Sequence, residues 1–357
     1  MNQMQKPERR ICEQSPFFCG LLLAMALLVT TGCASRLAAN RIITAPNLYA
    51  DREVKDWTDA WAKSFAKVSA GTNPFTSFSV TVGPPPAKLA VLQLLPRDCH
   101  LEVCSEIKGI GDGRTNLIVR LQLATNGCST IERGSIMLIH GYRVRKEFMT
   151  PWAFVLANAG YRVILVDLRG HGESTGRIFS GGKYETADLM QVLDDLMAKG
   201  MCDGRVGVLG YSFGADLALN WAAHDTRVAA VVAIAPYDQP SEAFLRLAEI
   251  TKVPLGRDAL QNAMAIAAAK LDVQWADWSG TSALGGMKIP ALLVGGGRDR
   301  VSPPCDLECL RKAAPSGSES MLVPEADHVS IGYCFPKLTD PVVAWFRQHL
   351  DSAQLAR

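Results

Sequence analysis

The chain has 357 residues, 48% of them apolar, and a formal net charge of +2. That is enough apolar material for one large α/β domain with additions. The near balance of charge, with no Lys/Arg run, does not suggest a nucleic-acid-binding surface, so no nucleic-acid partner is expected.

The first 33 residues read as a segment apart from that domain. Lys6, Arg9 and Arg10 precede the apolar run "PFFCGLLLAMALLV", which leads into "TTGCAS". A positive flank, a short apolar core and small residues at a cut site describe a secretory signal. The run is short of the ~20 residues that a spanning helix needs. The Gly32-Cys33 junction resembles the lipobox of bacterial lipoproteins, with Thr30 where leucine is usual. That resemblance implies lipidation of Cys33, export to the periplasm and attachment to a membrane. Several acyl chains on one cysteine, at ~0.8 kcal/mol per buried methylene, hold a protein firmly there. Plain secretion and an uncleaved anchor are the alternatives.

Cysteine usage agrees with an oxidising compartment. Beyond Cys33 lie Cys99, Cys104, Cys128, Cys202, Cys305, Cys309 and Cys334, and both "CHLEVC" and "CDLEC" invite small disulfide loops. Their number is odd, so at least one thiol stays free or pairs elsewhere, and connectivity is not legible from spacing. The spacings do not match zinc-binding pairs.

Residues 34–115 read as an N-terminal helix, strands and loop packed on the core. In "DREVKDWTDAWAKSFAKVSAG", Val54, Trp57, Trp61, Phe65 and Val68 share one helical face. "FSVTV" and "KLAVLQLL" read as strands around the breaker "GPPP". From residue 116 to 357 strands and helices alternate. The strands are "LIVRLQL", "SIMLIH", "YRVILVDL", "RVGVLG", "VAAVVAIA", "PALLVGGG" and "SMLVPE". Several are continuous apolar runs, as parallel strands buried on both faces require. The pattern predicts a doubly wound, mostly parallel α/β sheet. Residues 238–288 interrupt it with helical segments and read as a short cap over the carboxyl ends of the strands, where such sheets bind ligands.

Three features at those carboxyl ends carry chemistry. In "VGVLGYSFGADLALNWAAH" a strand turns into a helix through Gly210, Tyr211, Ser212, Phe213 and Gly214, the setting of a nucleophile elbow. Asp299 follows "PALLVGGG", and His328 follows "SMLVPE". A serine hydroxyl needs a histidine to accept its proton. That histidine needs a carboxylate to fix its tautomer and stabilise its charged form. The oxyanion of the intermediate needs backbone N–H donors, and those of Phe213 and Tyr142, in the loop after "IHG", are the candidates. Asp306 and Asp327 are weaker rivals for the carboxylate, one lying in the next helix and the other adjoining the histidine. His140 and "DLRGHGES" read as loop-shaping. Glu185 and Asp188 open a helix, where carboxylates favour the positive end of the dipole.

"HGY", "GYRVILVDLRGHGESTG", "GYSFG", "GGGRDRVSPP" and "ADHVSI" resemble, in order, segments of the α/β-hydrolase superfamily, over residues 116 to 350. The chain is most similar to the serine aminopeptidase and lysophospholipase-like branch, although Ala215 stands where many relatives have a second glycine. The resemblance implies a sheet of the α/β-hydrolase type with a short helical cap, no metal or organic cofactor, and catalysis by Ser212, Asp299 and His328. A small ester is the expected substrate, cleaved through an acyl-enzyme. A peptide or amide is the alternative, with Glu242 and Glu249 as the acidic groups that would hold a free amine. Acyl transfer and a binding protein without catalysis are the remaining readings, and oligomeric state is not legible.

Overall fold

The computed structural model describes residues 32–48, 74–109, 115–128 and 132–351. Five segments apolar at nearly every position become strands of the sheet centre: β5 (Ser135–Ile139), β6 (Arg162–Val166), β7 (Val206–Tyr211), β8 (Val228–Ile234) and β9 (Ala291–Gly296). All of β5, β7, β8 and β9 is buried. β10 (Glu319–Val323) closes one edge, and its mixed burial is that of an edge strand. At the other edge stand β1 (Phe75–Val82) and β2 (Ala87–Leu94). The order is β1-β2-β6-β5-β7-β8-β9-β10. β1 and β2 run antiparallel, and the pairs from β6 to β10 are parallel. The chain leaves β5 toward β6 on one side and β7 toward β8 on the other. Between those adjacent strands lies the switch point where such sheets bind ligands.

Helices cover both faces. α2 (Thr150–Asn158) and α9 (Phe335–Phe346) bury Trp152, Phe154, Trp345 and Phe346 against one side. α3 (Lys183–Ala198), α4 (Phe213–His224) and α8 (Pro304–Ala313) bury Leu189, Leu193, Leu217, Trp221 and Leu310 against the other. Between β8 and β9 the chain forms α5 (Pro240–Ile250), α6 (Arg257–Leu271), a short turn of helix at Trp275–Trp278, and α7 (Gly280–Gly286). α5 and α6 stand over the switch point as a cap.

The structure differs from the sequence reading in four places. "LIVRLQL" does not join the sheet. It lies in β4 (Thr115–Cys128), which pairs antiparallel with β3 (Arg97–Gly109) as a separate two-stranded ribbon. From Val119 onward Leu121 and Leu123 alternate with Arg120 and Gln122, a period-2 pattern that follows the apolar start Leu117-Ile118. That pattern suits an antiparallel ribbon better than a strand buried on both faces. Conversely β1 and β2 belong to the sheet itself rather than packing on it. Cys99 and Cys104 lie five residues apart on one strand, so their Cα atoms stand ~16 Å apart. That is far beyond the ~7 Å a disulfide can bridge. Cys305 and Cys309 sit one turn apart on α8 as free, exposed thiols.

The fourth difference is a helix, α1 (Gly32–Ile42), well before the segment around residues 54–68 where the sequence predicts the N-terminal helix. Its inward positions are Ser35, Ala38, Ala39 and Ile42, three of them small, so its hydropathy signal is faint. The helix expected over residues 54–68 and the apolar leader lie outside the described residues. Among the described residues no helix is long and apolar enough to cross a membrane.

Candidate active site

Ser212 sits between β7 and α4 with φ 54° and ψ −120°. A non-glycine residue in this region costs ~1–3 kcal/mol and persists only where its surroundings hold it. The flanking glycines show why the turn is possible. A Cβ on Gly210 would lie 2.0 Å from the Gly214 carbonyl oxygen, and one on Gly214 would lie 2.2 Å from that of Ile139. Only residues without side chains let strand and helix approach so closely.

The loops after β9 and β10 bring Asp299 and His328 to this turn. The Ser212 hydroxyl lies 2.8 Å from His328 Nε2, and His328 Nδ1 lies 2.7 Å from Asp299 Oδ2. With Nδ1–H donating to the carboxylate, Nε2 is left as the acceptor for the serine proton. Asp299 is buried, and its other oxygen accepts from the Val301 and Ser302 N–H groups, each at 2.8 Å. A carboxylate so held cannot rotate away from the ring. The rivals are engaged elsewhere: Asp306 accepts from Arg246 at 2.9 Å, and Asp327 accepts from the Ser330 hydroxyl at 2.7 Å.

Two supporting residues escaped the sequence reading. The Tyr211 hydroxyl donates to the His328 carbonyl at 2.5 Å, and the Ser302 hydroxyl donates to the Pro236 carbonyl. Both pin loops that arrive from distant parts of the chain, and local sequence carries no sign of either partner. Phe213 and Tyr142, the candidates for the oxyanion donors, flank Ser212 at the cavity, with the Phe179 ring between theirs at 5.1 and 5.0 Å.

The loop-shaping residues form a buried polar layer behind Tyr142. His140 Nδ1–H donates to the Gly141 carbonyl at 2.8 Å, and its Nε2 accepts from the Leu168 N–H at 3.0 Å. Burial brings its pKa down to about 4, so the ring is neutral. His171 bonds the Arg169 carbonyl through Nδ1, while its buried Nε2 has no hydrogen-bond partner. Burial and then the nearby His140 bring its pKa down to about 3. Glu185 and Asp188 do more than face a helix dipole. Glu185, fully buried, accepts from the N–H groups of Ser180 and Gly182, and Asp188 grips Arg169 at 2.7 and 2.6 Å. Burial outweighs Arg169 and raises Asp188 to about 6. Asp216, one turn beyond Ser212, is fully buried with neither carboxyl oxygen hydrogen-bonded, so burial and then the Asp238 charge keep it protonated.

These shifts set opposing pH dependences. A histidine held neutral binds fewer protons folded than unfolded, so its stabilisation is complete above pH ~6.5 and is lost as pH falls toward its folded pKa. The raised Asp188 and Asp216 act with the opposite sign over the same range. The net slope of the intact protein mixes both, and a single substitution separates them. Between pH 7 and pH 5, His171→Phe is expected to lose about 2 kcal/mol less stability than the parent, measured by urea unfolding at each pH. Equal losses would show that His171 is not held neutral.

Ser212 and His328 open on a cavity of about 320 Å³. Phe148, Phe179, Phe244, Leu247, Met264 and Trp275 make its walls, and no Asp or Glu lines it among the described residues. Glu242, half-buried, and Glu249, exposed, lie outside it and pair with Arg257 at 2.5 and 2.9 Å. No group of three or more metal-ligating side chains is found among the described residues. Cys33 is exposed at the start of α1.

Comparison with known proteins agrees with this architecture. Residues 134–254 match the profile of the alpha/beta hydrolase fold family. YqkD of Bacillus subtilis is 33% identical over 88 residues, which are 25% of this chain and only 29% of YqkD. A 31.7 kDa protein of Escherichia coli, from the traX-finO intergenic region, is 25% identical over 267 residues, 62% of this chain and 92% of that one. Among solved structures, the Pyrococcus furiosus esterase Pf2001 superposes with a TM-score of 0.56 at 18% identity, covering 80% of this chain and 93% of the other. The 2,6-dihydroxy-pseudo-oxynicotine hydrolase does so with a TM-score of 0.58 at 15% identity, covering 94% and 86%. At such identities the structural likeness speaks for the fold. The matched segment, the parallel sheet and the strand-to-helix turn at Ser212 agree on an α/β-hydrolase fold.

Proposed function

We propose that this chain is a serine hydrolase of carboxylic esters. Ser212 attacks the carbonyl, His328 takes the serine proton and returns it to the leaving alcohol, and Asp299 orients the ring and stabilises its charged form. The N–H groups of Phe213 and Tyr142 receive the oxyanion. Water, activated by His328, then releases the acid. The supporting observation is the continuous hydrogen-bonded row from Ser212 to Asp299, opening on an apolar cavity. Removing a free amine from water calls for a compensating charge. A cavity with no carboxylate among its described lining residues therefore favours an acyl chain over the amino end of a peptide.

The test is labelling of the full chain by a fluorophosphonate, beside turnover of p-nitrophenyl esters and aminoacyl p-nitroanilides. Labelling with ester turnover is the expected result. Labelling with anilide turnover alone would make the protein a peptidase or amidase, and acyl esters formed with added alcohols would make it a transferase. Absence of labelling in folded protein would leave a binding protein in this fold.

Export and lipidation of Cys33 belong to the same reading. The leader has the signal pattern, and an acyl group on the exposed Cys33 would not have to leave a packed core. Incorporation of labelled palmitate by cells expressing the chain is expected, and its persistence in Cys33→Ala would overturn the assignment.

A further inference from the structure

We infer that α1 is part of the substrate site, with Ile42 closing the cap side of the cavity and setting the length of acyl chain it accepts. The inference rests on the ester-hydrolase reading for the word acyl, and on geometry for the wall.

Ile42 lines the same cavity as Ser212 although 170 residues separate them in the chain. It is 6% exposed and clusters with Ala39, Ala263, Met264 and Ala267, with Phe244 and Trp275 packed against the group. Met264, Phe244 and Trp275 are themselves cavity walls from the cap. Alanines on both helices let α1 lie close against α6. The contact is fastened at Ser35, whose hydroxyl donates to the Ala259 carbonyl, and at Asn40, whose side-chain amide oxygen accepts from the Lys270 ammonium.

Beyond α1 the chain crosses from cap to core. The Ala45 N–H donates to the Arg177 carbonyl at 3.0 Å, and the Phe179 N–H to that of Ile43 at 2.9 Å. Asn47 donates from its backbone to the Gly170 carbonyl, and from its side chain to those of Gly172 and Ser174. A Cβ on Gly170 would lie 2.2 Å from that of Ala45, so this crossing is packed to contact. The loop it binds carries Phe179, which packs on Tyr142 and Phe213 beside the nucleophile. Residues 35–47 thus tie the cap to the loop behind the oxyanion site, and Ile42 faces the space between.

A cavity of about 320 Å³ is at the small end of the ~300–1,000 Å³ range of ligand sites. In so small a volume one wall residue decides how much chain fits. A single methylene in an apolar pocket is worth ~10–200-fold in discrimination.

The experiment compares the full chain with Ile42→Ala, Ile42→Trp and Ala39→Glu, each titrated with a fluorophosphonate to count active sites. Acetyl and octanoyl p-nitrophenyl esters report kcat/KM. Displacement of a fluorescent fatty acid by decanoate reports the cavity without catalysis. Ile42→Trp is expected to lower the octanoyl-to-acetyl ratio and decanoate affinity roughly tenfold or more, and Ile42→Ala to raise both. Ala39→Glu, which places a charge in the α1–α6 contact, should open the wall and move the ratio in the direction of Ile42→Ala. Thermal melting identifies any variant that fails to fold, and Ile42→Val then gives the smaller shift toward longer chains. Ratios and affinities unchanged within about twofold in folded variants would overturn the inference. Altered decanoate binding without any ester turnover would keep the wall and sink the hydrolase reading instead.

Discussion

Ser212→Ala is expected to lower ester turnover by about 10⁶, with residual activity still above that of water, because a nucleophile in such a unit takes the whole chemical route with it. The geometry explains the size. Ser212 Oγ is the atom that meets His328 Nε2 at 2.8 Å, and no other hydroxyl or thiol stands at that position in the described site. Alanine leaves His328 held by Asp299 and by the Tyr211 contact to its carbonyl, and leaves the proposed oxyanion donors in place. The substitution adds no backbone strain, since alanine and serine meet the same steric limits at φ 54°. Melting should therefore move little while labelling by the fluorophosphonate disappears. Turnover retained in Ser212→Ala would place the chemistry on another residue.

How much of this was legible in the sequence follows from where each constraint acts. Ser212, Asp299 and His328 stand together in the structure, and each could be found because it ends an apolar strand run. The run itself is readable, since strands buried on both faces admit almost nothing polar. The glycines around Ser212 were readable for the same local reason, that backbone meets backbone there. Tyr211, Ser302 and Arg169 were not, because what they do depends on partners 117, 66 and 19 residues away. α1 was illegible for a different reason. A helix that buries mainly alanines against another helix gains from close approach rather than from large apolar side chains, and hydropathy does not register that. The ribbon of β3 and β4 misled because an alternating segment stands where a first core strand would. Pairing partner, not composition, decides between the two.

Asp167 illustrates how the unreadable layer bears on the readable one, and Asp167→Ala is expected to cost about 3–5 kcal/mol in stability. Its carboxylate, fully buried, accepts from the Lys146 N–H at 2.7 Å, the Lys146 ammonium at 2.8 Å and the Glu173 N–H at 2.8 Å. Lys146 is 1% exposed. Burial alone would strip its charge, but Asp167 and Glu147 outweigh burial and hold its pKa above the ordinary value. Removing Asp167 leaves an ammonium that cannot reach water and two backbone donors without their acceptor, each costing ~1–3 kcal/mol when buried. Glu173 at 2.5 Å and Glu147 at 3.1 Å still offset part of the charge, which keeps the expected loss within that range rather than above it. The same bonds fasten the stretch from His140 to Lys146, where Tyr142 stands. Loosening it should lower kcat on short esters more than it raises KM, because the Tyr142 N–H, as the proposed oxyanion donor, would act on the transition state. Replacing the charge as well, in Asp167→Ala with Lys146→Met, should recover the part of the stability lost to the lone ammonium, while the two backbone donors stay unpaired. It should not recover kcat, because the bonds that aim the loop are still missing. Urea unfolding beside steady-state kinetics separates the two effects. A double variant that regained both would mean that Asp167 serves the fold alone and that the position of Tyr142 is set elsewhere.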